Sequence, residues 1–126
     1  MKLILVDSSV WISYFRDENA HKKLDELIEN SQICTNDLIL AELLPFLHMK
    51  KQTEVVRLMQ QLPKATLNIN WDFIIYLQTA NLQNGINRVG IPDLIIVDHV
   101  ITNSLILFSE DKHFRLMQEH AKFDLL

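Results

Sequence analysis

The run "LILV" at residues 3–6 constrains the fold of this chain more than any other feature of its sequence. All four side chains are apolar, so both alternating faces of a strand there must be covered. A strand buried on both faces belongs inside a parallel sheet packed between helices. Parallel neighbours cannot be joined by a tight hairpin, so about a dozen residues or more, usually helical, must separate successive strands.

The rest of the chain meets that demand. Beyond residue 7, Trp11, Tyr14 and Phe15 share one helical face. "NAHKKLDELIEN" is an amphipathic helix with Ala20, Leu24, Leu27 and Ile28 inward, and "QICT" is a short strand. "NDLILAELLPFLHM" is a helix apolar nearly all round and therefore buried, with Thr35 or Asn36 as N-cap and Pro45 expected to kink or end it. "KQTEVVRLMQQL" is a further amphipathic helix, and "ATLNI" is a strand. "NWDFIIYLQTANLQN" is a helix capped by Asn70 and stopped at Gly85. "GIPDLIIVDHVITN" opens a helix with Pro92 in its first turn. "SLILF" is a strand, "DKHFRLMQEHA" a helix and "KFDLL" a last short strand. Strands separated by helices predict an α/β fold with a parallel sheet of about five strands and helices on both faces.

A chain of 126 residues reads as one domain spanning 1–126. Its single cysteine, Cys34, excludes an intramolecular disulfide and reads as a small buried apolar residue. No stretch approaches the roughly 18–20 apolar residues that cross a bilayer, and no secretory pattern opens the sequence. A soluble cytoplasmic protein without a membrane partner is the expectation.

In sheets of this kind ligands bind outside the carboxyl ends of the strands. Asp7 stands at such an end, directly after "LILV". Most other acids lie on polar helix faces or in turns, but Glu42 interrupts "LILAELL", Asp93 opens "PDLIIV", Asp98 interrupts that same helix, and Asp111 follows "LILFSE". A lone buried carboxylate is costly and needs a partner or a metal. No Arg or Lys lies close in sequence to Glu42 or Asp93. Converging carboxylates without cations point to oxygen ligation of a hard divalent ion. Each acid also has a plainer reading: Asp7 and Asp111 as helix N-caps, and Asp93 as a first-turn acid favoured by the helix dipole. Glu42, mid-helix, has no such role. Asp98 lies about 140° around the helix from Asp93 and can pair with His99 or Lys112.

Other chemistries find little support. The five histidines show no paired ligand spacing, which argues against zinc. Ser8 and Ser9 lack a nucleophile-elbow setting, and Gly85 and Gly90 stand too far apart for a phosphate loop. Ser8 reads as a turn or cap residue.

Four motifs in order, "LVDSSVWI", "LAEL", "IPDLIIVDHVI" and "FSEDKHF", give the chain its resemblance to the PIN-domain ribonucleases. In particular it resembles the VapC-type toxins of toxin–antitoxin pairs, over essentially its whole length. The resemblance implies a three-layer α/β/α sandwich with the first strand central. It implies that Asp7, Glu42, Asp93 and Asp111 bind Mg²⁺ or Mn²⁺ and catalyse hydrolysis of RNA phosphodiesters to 5′-phosphate and 3′-hydroxyl ends. Ser9 matches a small polar position beside the metal, and Ser109 a Ser/Thr that steadies the turn before Asp111. The family usually has small residues after the third acid; Val97 and Asp98 depart from that, and Asp98 either extends the cluster or replaces a packing alanine. An antitoxin peptide across a groove of the early helices, with Trp11, Tyr14, Phe15, Val55, Leu58 and Met59 as apolar surface, and a homodimer are implied as partners.

The net charge of −4 by itself argues against a nucleic-acid binder. Setting the four site acids aside leaves twelve against twelve Lys and Arg, so a bound divalent ion removes the objection. Arg16, Arg88, Lys112 and Arg115 stand beside the motifs as RNA phosphate contacts. Two alternatives remain at this point. A receiver-like phosphoacceptor domain is also α/β with an acidic cluster, but it uses an adjacent acidic pair, and here Ser8 follows Asp7. A catalytically silent PIN binding module is the other, and the presence of all four acids weighs against it.

Overall fold

A computed structural model describes residues 2–17, 19 and 21–126; Ala20, expected to face inward, lies outside the described residues. Strand β1 (Ile4–Val6) is central, as its apolar run requires. It pairs in parallel with β2 (Ile33–Cys34) on one side and β3 (Ile106–Phe108) on the other, and β4 (Asp124–Leu125) pairs in parallel with β3. The strand order is β2-β1-β3-β4. Leu5, Val6 and Leu107 are fully buried.

Helices α1 (Ser8–Arg16) and α2 (Lys22–Glu29) connect β1 to β2. Between β2 and β3 lie α3 (Asp37–Met49), α4 (Thr53–Gln61), α5 (Trp71–Gln83) and α6 (Ile91–Thr102); α7 (Lys112–Met117) joins β3 to β4. The expected α/β class stands, with four strands among the described residues rather than about five. The missing one is "ATLNI". Residues 65–69 keep the alternation that suggested a strand, with Ala65, Leu67 and Ile69 half-buried and Thr66 and Asn68 exposed. Pairing is limited to a single parallel bridge, Thr35 with Lys64. The reason lies in the partner: directly after Thr35 the chain turns into α3, so no strand remains for further rungs.

Two helix expectations also change. Pro45 does not end α3, since the helix runs on for one more turn to Met49. The carbonyl that Pro45 leaves without its N–H partner belongs to Ala41, and both residues are exposed, so water can satisfy it. Helix α3 is buried on one side only, through Ile39, Leu40, Leu43 and Leu47. In α2, Leu24 and Leu27 are buried, but Ile28, one residue before the helix ends at Glu29, is 37% exposed. Among the described residues no helix is long and apolar enough to cross a membrane.

Asn36, rather than Thr35, caps α3. Its side-chain oxygen accepts from the Ile39 N–H at 2.8 Å, and its amide nitrogen donates to Nδ1 of buried His99 at 2.8 Å. Burial holds the His99 pKa below its usual value, against the pull of Asp98 and the Thr66 backbone, so the neutral ring accepts that bond. Asn36→Ala removes a cap and strands a buried imidazole, so a loss of about 2–3 kcal/mol in urea unfolding is expected. A loss within about 0.5 kcal/mol would show that neither bond matters to the folded state.

Candidate metal centre

The sheet order reverses at β1, since β2 lies on one side and β3 on the other. The carboxyl ends of β1 and β3 therefore open a crevice of the kind in which α/β proteins bind ligands. The Asp7 N–H donates to the Phe108 carbonyl at 2.9 Å and joins the two strand ends.

Asp7 is 6% exposed and occupies the N-cap position of α1, yet its side chain makes no capping bond. Instead its Oδ2 accepts from the Ser9 hydroxyl at 2.8 Å and from the Ser109 hydroxyl at 2.9 Å. The two serines are themselves held, because Glu110 N–H donates to Ser9 Oγ and Asp111 N–H to Ser109 Oγ. A buried carboxylate is thus fixed by hydroxyls from both strand ends, with no cation among its hydrogen-bond partners. The capping explanation of Asp7 fails, and Oδ1 lies outside this hydrogen-bonded net.

Asp111 does cap its helix: Oδ1 accepts from the His113 N–H at 2.9 Å, and His113 Nδ1 lies 3.1 Å from the same oxygen. Asp93 enters from the first turn of α6, behind Gly90 and Pro92. The helix dipole there favours the charged form by about 0.3–1 kcal/mol. Larger effects oppose it. Burial, then Asp111, then Asp7 push the Asp93 carboxyl up from 3.8 to about 6, with His113 pulling the other way.

Glu42 reaches the same cluster from α3. The residue lies on the exposed side of its helix rather than inside an apolar surround, which corrects the premise on which it first stood out. Partial burial of its carboxyl, then Asp7 and Asp93, still raise its pKa, while a hydrogen bond from Ser8 lowers it. The four acids thus repel one another across the crevice. One ligand atom each from Asp93, Asp111 and His113 lie within 4.8 Å of one another, close enough for a single ion to touch all three. A donor set rich in carboxylates, with mutual repulsion left uncompensated, fits a divalent cation.

That repulsion has a pH signature. A carboxyl raised in the native state holds a proton that the unfolded chain has already lost. Asp93 therefore makes native stability fall as pH rises from 3.8 through about 6, and Glu42 acts in the same direction. Without divalent ions, the stability of wild type relative to Asp93→Asn should drop between about pH 4 and about pH 6.5. A difference that is flat or grows over that range, measured by urea midpoints, would contradict the crowding of these acids.

Asp98 does not join them. It is 3% exposed and accepts from the Asn70 N–H at 3.0 Å and from the Thr102 hydroxyl at 3.3 Å, tying the start of α5 to α6. Those partners, not Lys112, satisfy it. Lys112 and Arg115 line a cleft of about 270 Å³ with Ser109 and Asp111, next to the acids. Arg16 lies elsewhere: it lines a groove of about 630 Å³ with Phe15, Phe46, Lys50 and Val55. Arg88 is exposed, two residues before Gly90, with φ +65°. Of the expected apolar groove surface, Trp11 and Met59 belong to the core, Tyr14 bonds to Asp25 at 2.8 Å, and Leu58 is exposed. Burial pushes the Cys34 thiol up to about 11, as suits an inert core residue.

Two residues at the site escaped the sequence reading. Ser8 acts on Glu42, lowering its pKa as a hydrogen-bonding neighbour, where a turn or cap role was expected. His113 stands among the acids, although its spacing to other histidines suggested no ligand. The one available signal was position, since each lies within two residues of a site acid at the start of a helix.

The family model for the PIN domain matches residues 4–119. No curated protein matches the sequence. Among solved structures, the chain is similar to DNA-bound VapBC from Salmonella typhimurium, with TM-score 0.76 and 15% identity over 100% of this chain and 98% of that one. It is similar to VapBC2 from Rickettsia felis bound to a promoter DNA fragment, with TM-score 0.75 and 17% identity over 98% and 97% of the two chains. FitAcB from Neisseria gonorrhoeae gives 0.72 and 19% over 97% of each. At these identities the likeness concerns the fold.

Proposed function

Since the chain belongs to the PIN-domain family, we propose that it is a divalent-metal-dependent endoribonuclease, the toxin of a toxin–antitoxin pair. The observation that carries the reading is the convergence of Asp7, Glu42, Asp93 and Asp111 on one crevice, where, among the described residues, acids and no Lys or Arg shift the Glu42 and Asp93 carboxyls beside Ser8 and His113. These four residues would hold Mg²⁺ or Mn²⁺. Bound there, such an ion supplies Lewis acidity to a phosphodiester and makes hydroxide available near neutral pH.

The chain's own groups supply the positioning. Ser9 and Ser109 lock the Asp7 carboxylate between the two strand ends. Ser8 orients Glu42. Lys112 and Arg115 draw an RNA phosphate towards the crevice, which without an ion would repel it. Water adds to phosphorus, the P–O3′ bond breaks, and the 3′ oxygen takes a proton, leaving 5′-phosphate and 3′-hydroxyl ends.

The reading extends to partners. Similar folds occur in structures named VapBC, which supports a cognate antitoxin for this chain. The groove in which Arg16, Lys50 and Gln52 accompany Phe15, Phe46, Leu47 and Val55 suits an amphipathic peptide segment of that antitoxin. Trp71, Ile75 and Tyr76 on α5, each more than half exposed, give a homodimer apolar surface to bury. The test of the reading is to map RNA ends in cells after induction of wild type and of Asp7→Asn. New 5′-phosphate ends at defined sites are expected with wild type alone. Identical ends from both proteins would sink it.

A further inference from the structure

Resting on the reading that the acid crevice holds a divalent ion, we propose that His113 is a nitrogen ligand of that ion, so that the centre favours Mn²⁺ over Mg²⁺. Three observations converge on this residue. A ring nitrogen of His113 and one oxygen each of Asp93 and Asp111 fall within 4.8 Å of one another. Ligands about 2.0–2.2 Å from one ion stand roughly 3 Å apart side by side and just over 4 Å apart across it, so this triangle needs little adjustment to close on a single cation.

The ring is also held in place. The His113 backbone N–H donates to Asp111 Oδ1 at 2.9 Å as part of the α7 cap, and its Nδ1 lies 3.1 Å from that oxygen. In neutral imidazole one nitrogen carries the proton and the other a lone pair. A proton on Nε2 leaves the lone pair on Nδ1, whose 3.1 Å distance from Asp111 Oδ1 is that of two neighbouring ligands on one ion. Finally, the ring is in the right setting, partly shielded at 26% side-chain exposure.

The donor type sets the preference. Mg²⁺ takes oxygen ligands and gives up water reluctantly, whereas an imidazole nitrogen suits transition ions, with affinity rising from Mn²⁺ to Co²⁺ to Ni²⁺. An all-carboxylate crevice has no comparable means of discriminating. The opposing view is that His113 only steadies the Asp111 cap from outside.

The two views separate without any assay of cleavage. Mn²⁺ and Mg²⁺ affinities are measured by calorimetry on wild type, His113→Ala and Asp93→Asn, and electron spin-echo spectra are recorded on bound Mn²⁺. Wild type should show nitrogen modulation from a histidine ligand. His113→Ala should lose it and bind Mn²⁺ about tenfold more weakly, with Mg²⁺ affinity changed by less than about twofold. Wild-type Mn²⁺ without nitrogen modulation overturns the proposal even if the variant does not fold. In that case, lost Mn²⁺ binding in Asp93→Asn would show that the acid centre itself survives. Unchanged Mn²⁺ binding in both variants would remove the centre and the histidine ligand together.

Discussion

Asp93→Asn lowers the rate of RNA cleavage by about 10²–10³-fold and, without metal, makes the protein more stable at neutral pH. The two effects have one cause. The Asp93 carboxyl is pushed up to about 6 by burial and by Asp111 and Asp7, so its charge strains the native state at neutral pH. An amide of the same shape removes that strain together with an anionic ligand. Single-turnover cleavage of a structured RNA with Mn²⁺, set beside urea unfolding in a chelator, measures both. A slow variant that is also less stable would point to a damaged fold. A variant that cleaves at the wild-type rate would exclude Asp93 from the chemistry.

Mn²⁺ at about 100 times its dissociation constant stabilises the wild-type fold by roughly 2.7 kcal/mol. For a domain of this size that is a rise of roughly 10 °C in Tm. The rise should shrink at about pH 5, where protons compete for Asp93 and Glu42. It should vanish in the Asp7→Asn, Asp93→Asn double variant. Melting curves with and without Mn²⁺ decide it. No rise in wild type would mean that the fold binds no ion, and an equal rise in the double variant would place the ion somewhere other than the crevice.

Much of this was legible in the sequence because the signals were local. "LILV" demanded cover on both faces, and β1 is the central strand, with Ile4, Leu5 and Val6 buried. Caps and first turns followed from single residues, as at Asn36, Asn70 and Pro92. The fifth strand failed for a nonlocal reason: its alternation is present, but the partner chain beyond Thr35 leaves for α3. Glu42 was singled out on a mistaken premise, since its helix is buried on one side only and the residue lies on the other.

The four acids and their order along the chain, the parallel sheet and the strand-end position of Asp7 were determined by the sequence alone. Apolar periodicity and helix caps act over a few residues and leave a trace there. The tertiary structure decided which groups meet. Ser9 and Ser109 come within 3.3 Å across 100 positions of sequence to hold Asp7, and Asp98 turns to Asn70 and Thr102 while His113 turns to the acids. The meeting of Ser9 with Ser109 leaves no periodicity to read, because it arises only when β1 and β3 pair and bring their carboxyl ends together.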